Sequence, residues 1–217
     1  MMFDWSIVAM AIPLLAEGTL MTLKISALAA VLAMAGGIAL GLISLGGWLW
    51  ARLLVRAYVD FIRGTPLLIQ IFIVFFGLPL MGWRPGEFWS GVIALSLNGA
   101  GYIAEVVRGT VGAVEAGQTE AAKSIGMTRG KILIHVLLPQ SIRPMLPALT
   151  NDMITLVKNT SLLSVISVYE LTRSGQAVIA THFAPLEIFA LLAVYYYVII
   201  SALSYLSRQL ERRLPAW

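Results

Sequence analysis

Apolar side chains run along this chain in long blocks, not in the alternation that marks a half-buried strand. Five blocks qualify as membrane spans: residues 19–45, 59–81, 88–107, 144–168 and 186–206. A spanning helix needs about 20 mostly apolar residues, so the pattern predicts an all-α integral membrane protein with five transmembrane helices. Residues 1–217 form a single domain in this reading. The second block is short and must borrow from the turn at Val59 onward. The fourth is interrupted by Asn151, Asp152, Lys158 and Asn159. Trp5, Trp48, Trp50, Trp83, Trp89 and Trp217 fall at or beyond the block ends, where indoles gather at the headgroup level.

Composition agrees with the blocks. Hydrophobic residues make up 59% of the chain and charged ones 12%, with mean hydropathy +0.87. A soluble domain has about 45–50% apolar and roughly 25% charged residues. There is no cysteine, which excludes a disulfide scaffold, a thiol nucleophile and a thiolate metal site. The amino terminus lacks the basic region of a signal peptide and reads as uncleaved.

The basic residues set an expected orientation. With the N-terminus outside, the inner segments hold Arg52, Arg56, Arg63, Arg108, Lys123, Arg129, Lys131, Arg143, Arg208, Arg212 and Arg213, and the outer ones only Arg84 and Arg173. The positive-inside bias then predicts N-terminus out and C-terminus in. Five helices barely surround a solvated path, so a dimer of membrane domains is expected. Ala33, Gly37 and Gly41 form a small-residue face that permits close helix packing, within the monomer by the preferred reading.

The longest loop, about residues 109–143, lies between spans three and four on the inner side. Glu120-Ala121-Ala122 begins a short helical stretch, and Gly126 suits a left-handed cap. Thr128 can cap a second helix that Pro139 should stop. The expected form is helix, tight turn and helix along the membrane surface. The spacing of Glu120-Ala121-Ala122, Gly126, Val136 and Leu138-Pro139 resembles the EAA loop of ATP-binding-cassette (ABC) importer permeases, with Val136 where isoleucine is usual. Gly18-Thr19-Leu20-Met21-Thr22-Leu23, Arg63-Gly64-Thr65-Pro66-Leu67 and the stretch from Leu156 to Leu162 are similar to the polar amino-acid permeases (histidine, glutamine, glutamate and arginine type). This resemblance implies a permease in a bacterial inner membrane, paired with itself or a paralogue. It also implies two cytoplasmic ATPase subunits that carry ATP and Mg, and an extracytoplasmic amino-acid-binding protein. In that family the loop is the coupling helix that docks on the ATPase, which assigns the role to Glu120, Ala121, Ala122, Gly126, Leu138 and Pro139.

Intramembrane polar residues cost enough to mark cavities or helix contacts. Asn98, Tyr102 and Glu105 share one face of span three; Asp152 and Asn159, seven apart, share one of span four. An amino acid offers an ammonium and a carboxylate. Asp152 suits the cationic end and Asn159 either, with Thr160 and Ser161 adding hydroxyls. Asn98 and Tyr102 join this substrate set or hydrogen-bond between helices. Glu105 is assigned instead to a pair with Arg108. In relatives that move cationic amino acids, positions 152 and 159 resemble an acidic pair; Asn159 breaks it and weakens an arginine or lysine assignment.

Other signals carry less. The G-x-G-x-x-A match at Gly99–Ala104 sits inside a span, without the βαβ unit that gives it meaning. No Walker A pattern occurs, so the chain is not read as an ATPase, nor as carrying a catalytic or metal site or its own cofactor. His135 and His182 fall on opposite sides of the membrane. Tyr195, Tyr196 and Tyr197 suit packing, and Arg208, Arg212 and Arg213 suit anionic lipid; no nucleic-acid partner is expected. The rival readings are an ATP-independent secondary carrier, which usually shows an internal repeat, and an oligomeric channel, which needs a filter.

Overall fold

The computed structural model describes residues 4–212, with side chains through Gln209. Arg213 and Trp217, and the side chain of Arg212, lie outside the described residues. Every regular element among those described is helical. Four helical runs are long and apolar enough to cross a membrane, and a sharply bent pair makes a fifth if counted as one span.

The first helix, α1, is Trp5–Leu45 and so begins well before residue 19. Its upstream turns are as apolar as the rest, and Asp4 starts them: its carboxylate accepts from the Ser6 backbone N–H at 2.9 Å and the Ser6 hydroxyl at 2.6 Å. Those two bonds from Ser6 hold the Asp4 carboxyl below its ordinary range. At about 1.5 Å per residue, α1 is far longer than the ~30 Å hydrocarbon core.

The block expected as one span over 59–81 is two helices, α2 (Leu49–Gly64) and α3 (Leu67–Leu80), bent by 111°. Pro66 forces the break. It has no N–H to continue the ladder, and it drives Thr65 into extended backbone, φ −123° and ψ 144°. The α2 carbonyls freed by the break need donors. Gln70 supplies them: its Nε2 donates to Ile62 O at 2.8 Å, Thr65 O at 3.1 Å and Thr65 Oγ1 at 2.9 Å.

The central helix α4 (Gly86–Gly112) packs along α1. Ala33, Gly37 and Gly41 are all buried, and a Cβ on Gly37 would lie 2.5 Å from Ile103 Cβ and 2.9 Å from the Ala100 carbonyl. The small-residue face is therefore spent inside the chain.

After α4 come α5 (Ala116–Ser124) and α6 (Arg129–Ile132), a π turn over Leu133–Leu137, and α7 (Leu138–Asn159). Pro139 does not stop this run, contrary to expectation. Leu138 N–H bonds back to Leu133 O, and this wider π ladder absorbs the missing proline donor. The block at 144–168 changes character at its end, where Thr160–Ile166 winds as a 3-10 helix and Ser167 turns left-handed at φ 64°.

Helix α8 (Leu171–His182) was not anticipated, because its twelve residues are too few and too polar to span. Glu170, completely buried, caps it: its carboxylate accepts from Thr172 N–H at 2.9 Å, Arg173 N–H at 2.8 Å and the Tyr196 hydroxyl at 3.1 Å. Leu171 N–H donates to Thr22 Oγ1 of α1 at 3.1 Å, while Tyr196 belongs to α9 (Pro185–Arg212). Burial pushes the Glu170 carboxyl upward, yet each of its oxygens accepts from a backbone N–H, so an amide would turn its NH2 against one of those donors. We expect Glu170→Ala to cost on the order of 3 kcal/mol, from buried donors left unpaired, and Glu170→Gln less, because it leaves one of the two backbone donors unpaired rather than both. Thermal unfolding of the purified variants in detergent checks the difference.

Candidate functional site

Two faces converge beside the α2–α3 break. Asn98 and Tyr102 on α4 and Asp152 and Asn159 on α7 line one cavity of about 260 Å³, closed by Thr65, Leu67, Leu95, Gly99, Thr155 and Leu156. Helical phase accounts for the pairs, since positions four and seven apart recur on one side of an α-helix. Asp152 Oδ2 is buried and has no hydrogen-bond partner among the described residues. A buried acceptor left open is costly. Asp152 is the one carboxylate among the residues lining this cavity, and a cationic group bound against that wall would be drawn to it.

Asn98 does two jobs. It lines the cavity, yet its Nδ2 donates to Gln70 Oε1 at 2.9 Å, so it holds the same buried amide that clamps the break. Gln70 is 5% exposed and was missed. Its signal was a lone amide in the apolar run of the second block. Thr65 and Thr155 were missed because a threonine within a span looks unremarkable. Tyr102 is 41% exposed and leaves its phenol at the cavity wall.

Thr160 and Ser161 lie outside this cavity. The Thr160 hydroxyl donates to Val157 O and the Ser161 hydroxyl to Lys158 O, each at 2.8 Å. Neither position shares the Asp152–Asn159 face, since successive helical residues turn about 100°, and from Thr160 the backbone winds as a 3-10 turn. Lys158 is exposed and is not among the lining residues.

Glu105 faces a second cavity of about 470 Å³ toward the other end of α4, lined also by Arg52, Arg56, Asp60, Arg63 and Arg108. The expected pair is present: Arg108 Nε donates to Glu105 Oε2 at 2.9 Å and Nη2 to Oε1 at 2.5 Å. Arg63 of α2 stands 3.4 Å from the same carboxylate, a partner that sequence spacing could not reveal.

The loop beyond α4 has the turn expected at Gly126. Its φ is +81°; Gly126 N–H bonds Lys123 O at 2.9 Å and Met127 N–H bonds Ala122 O at 3.1 Å. That is a Schellman cap, which favours glycine because any side chain resists left-handed backbone. Two details differ from expectation. Helix α5 opens at Ala116 rather than Glu120, and Thr128 sits at an N-cap position without a side-chain cap bond. Ala122 is buried and anchors α5, whereas Glu120, Ala121, Gly126 and Pro139 are exposed; Leu138 is half-buried. Ile125 is 78% exposed beside them, so an apolar tip stands on the surface with no cover from this chain.

Comparison with known proteins gives a consistent result. Residues 33–215 match the family model described as "Binding-protein-dependent transport system inner membrane component". The chain is 42% identical over 221 residues to the glutamine transport system permease protein GlnP of Escherichia coli (strain K12), covering 99% of each. It is 35% identical over 217 residues to the arginine transport system permease protein ArtQ of Bacillus subtilis (strain 168), covering 100% of this chain and 99% of that one. Among solved structures, an amino acid ABC transporter crystallised with histidines superposes with TM-score 0.91 at 34% identity, covering 99% of this chain and 100% of that one.

Proposed function

This chain belongs to the family of binding-protein-dependent transport system inner membrane components, and we propose that it is the permease subunit of an ATP-driven importer for polar amino acids. The cavity between α4 and α7 is the substrate site. The observation that carries this reading is Asp152, a carboxylate with one buried, unpartnered oxygen, on the wall of a cavity otherwise lined by amides, hydroxyls and apolar groups. That carboxylate receives the α-ammonium, and Asn98, Tyr102, Thr155 and Asn159 meet the neutral polar remainder. One carboxylate rather than two favours uncharged polar amino acids over arginine or lysine.

The chain sits in a bacterial inner membrane, N-terminus outside and C-terminus inside, and pairs with a second permease chain. A binding protein delivers solute outside, basic side chains at the C-terminal end contact anionic lipid, and two ATPase subunits inside supply the nucleotide chemistry with ATP and Mg. The loop through Glu120, Ala121, Ala122 and Gly126 docks on the ATPase, and the continuous run from Arg129 to Ile166 carries its motion to Asp152 and Asn159. A ligand shifts such a carrier only through unequal affinity for its two states, so the carboxylate is most exposed to solute in the outward-facing one.

Gly126→Val tests the docking role. A Cβ at Gly126 meets nothing within 4 Å, so the change acts through the left-handed backbone alone, at roughly 1–2 kcal/mol. Tagged wild-type chain should co-purify an ATPase from mild detergent, and the variant should retain several-fold less while inserting normally. Wild type that brings down no ATPase, with uptake that continues without ATP, overturns the reading in favour of a secondary carrier or channel.

A further inference from the structure

Along both α2 and α4 the lining of one cavity gives way within three residues to that of the other, and an ion pair lies at that change. Thr65 lines the substrate cavity and Arg63 the charged one, two residues apart across the Pro66 break. On α4, Tyr102 lines the first and Glu105 the second, one turn further toward the loop end. The Arg63–Glu105 contact at 3.4 Å therefore crosses from α2 to α4 where one cavity ends and the other begins.

We propose that Glu105 is the relay carboxylate at the loop-side floor of the substrate cavity: bound to both Arg63 and Arg108 when the floor is shut, and to Arg108 alone when the Arg63 side chain swings out to solvent. The inference rests on the substrate-site reading above and adds a gate to it.

Two features make such a movement inexpensive. Arg108 lies on the same helix and bonds Glu105 at two atoms, so the carboxylate never loses its counter-ion. Arg63 is half exposed, with 48% of its side chain in solvent, and water can take over its charge. The α2 backbone stays in place, held to α4 by Val55, Val59 and Ala104, by Ile62 packed on Gly101 and by the bond from the Tyr58 hydroxyl to Leu97 O. Across the Pro66 break Gln70 of α3 bonds both Ile62 O of α2 and Asn98 of α4, so the backbone frame is fixed while the Arg63 side chain moves. Two discrete partner sets for one carboxylate make a two-state element of the kind that switches use.

The two arginines should then act in opposite senses, which an ordinary stabilising cluster would not show. In proteoliposomes holding the native complex, uptake of a labelled amino-acid mixture and ATP hydrolysis are measured together. Arg63→Gln unties the floor, so ATP consumed per solute moved should rise several-fold; Arg63→Lys should restore it. Arg108→Gln leaves Glu105 dependent on Arg63, so the maximal uptake rate should fall several-fold with half-saturation unchanged. Equal effects of the two glutamine variants, or no effect of either, overturn the gate. Asp152→Asn run in parallel separates the two ideas. If it leaves uptake untouched, the substrate-site reading falls and the gate with it. If it impairs uptake while the arginine variants behave alike, only the gate falls.

Discussion

Gly37→Leu is expected to abolish accumulation of the folded chain. Even the first added carbon would sit 2.5 Å from Ile103 Cβ, 2.6 Å from its Cγ2 and 2.9 Å from the Ala100 carbonyl. A flexible side-chain tip could swing aside, but a Cβ and a backbone carbonyl move only if α4 moves. Overpacking a tight contact costs about 1–3 kcal/mol and at times more, and here it displaces the helix that carries Asn98 and Tyr102. Gly36 is the internal control, because its added Cβ would meet only Ala100 Cβ at an ordinary 3.5 Å. Gly36→Ala should therefore purify as wild type, Gly37→Ala at reduced yield, and Gly37→Leu hardly at all. Size-exclusion of tagged chain in detergent gives the answer. A Gly37→Leu chain that folds but no longer dimerises would mean that this face joins two copies instead of α1 to α4.

Asp152→Asn is expected to lower uptake by at least tenfold without loss of the ATPase from the complex. The amide keeps the size and one acceptor but removes the charge, and bonds to charged groups are worth about 1.5–3 kcal/mol, or roughly ten- to hundredfold. The loss should appear mainly as a raised half-saturation concentration. Asn159→Asp is the complementary change. Residues 152 and 159 share the same cavity wall, so a second carboxylate there should shift preference toward cationic amino acids. Competition of labelled glutamine by excess arginine, in wild type and variant, measures that shift. Unchanged uptake in Asp152→Asn would remove the cavity from the path.

The loop shows how far local chemistry reaches. Gly126 was legible because a helix that must end in left-handed backbone favours glycine, and the observed φ of +81° follows. Pro139 was misread by the same local logic. A proline in a helix costs a donor, but the π turn over Leu133–Leu137 pays no such toll at Pro139, and only the three-dimensional course of the run reveals it. Grouping Thr160 and Ser161 with Asn159 as sequence neighbours fails because adjacent helical positions turn about 100° apart; their hydroxyls bond back to Val157 O and Lys158 O.

Block hydropathy alone determined that this is a helical membrane chain, because a bilayer leaves no other way to satisfy an apolar backbone segment of that length without closing a barrel. Helical periodicity alone placed Asn98 with Tyr102 and Asp152 with Asn159. Tertiary structure decided which of those faces meet. It brought α4 and α7 together at the Pro66 break, supplied Gln70 as the clamp, and set Arg63 against Glu105 from a helix more than forty positions away. Such contacts depend on how α2 folds back after a 111° bend, a rotation summed over many backbone angles that no local pattern of residues encodes.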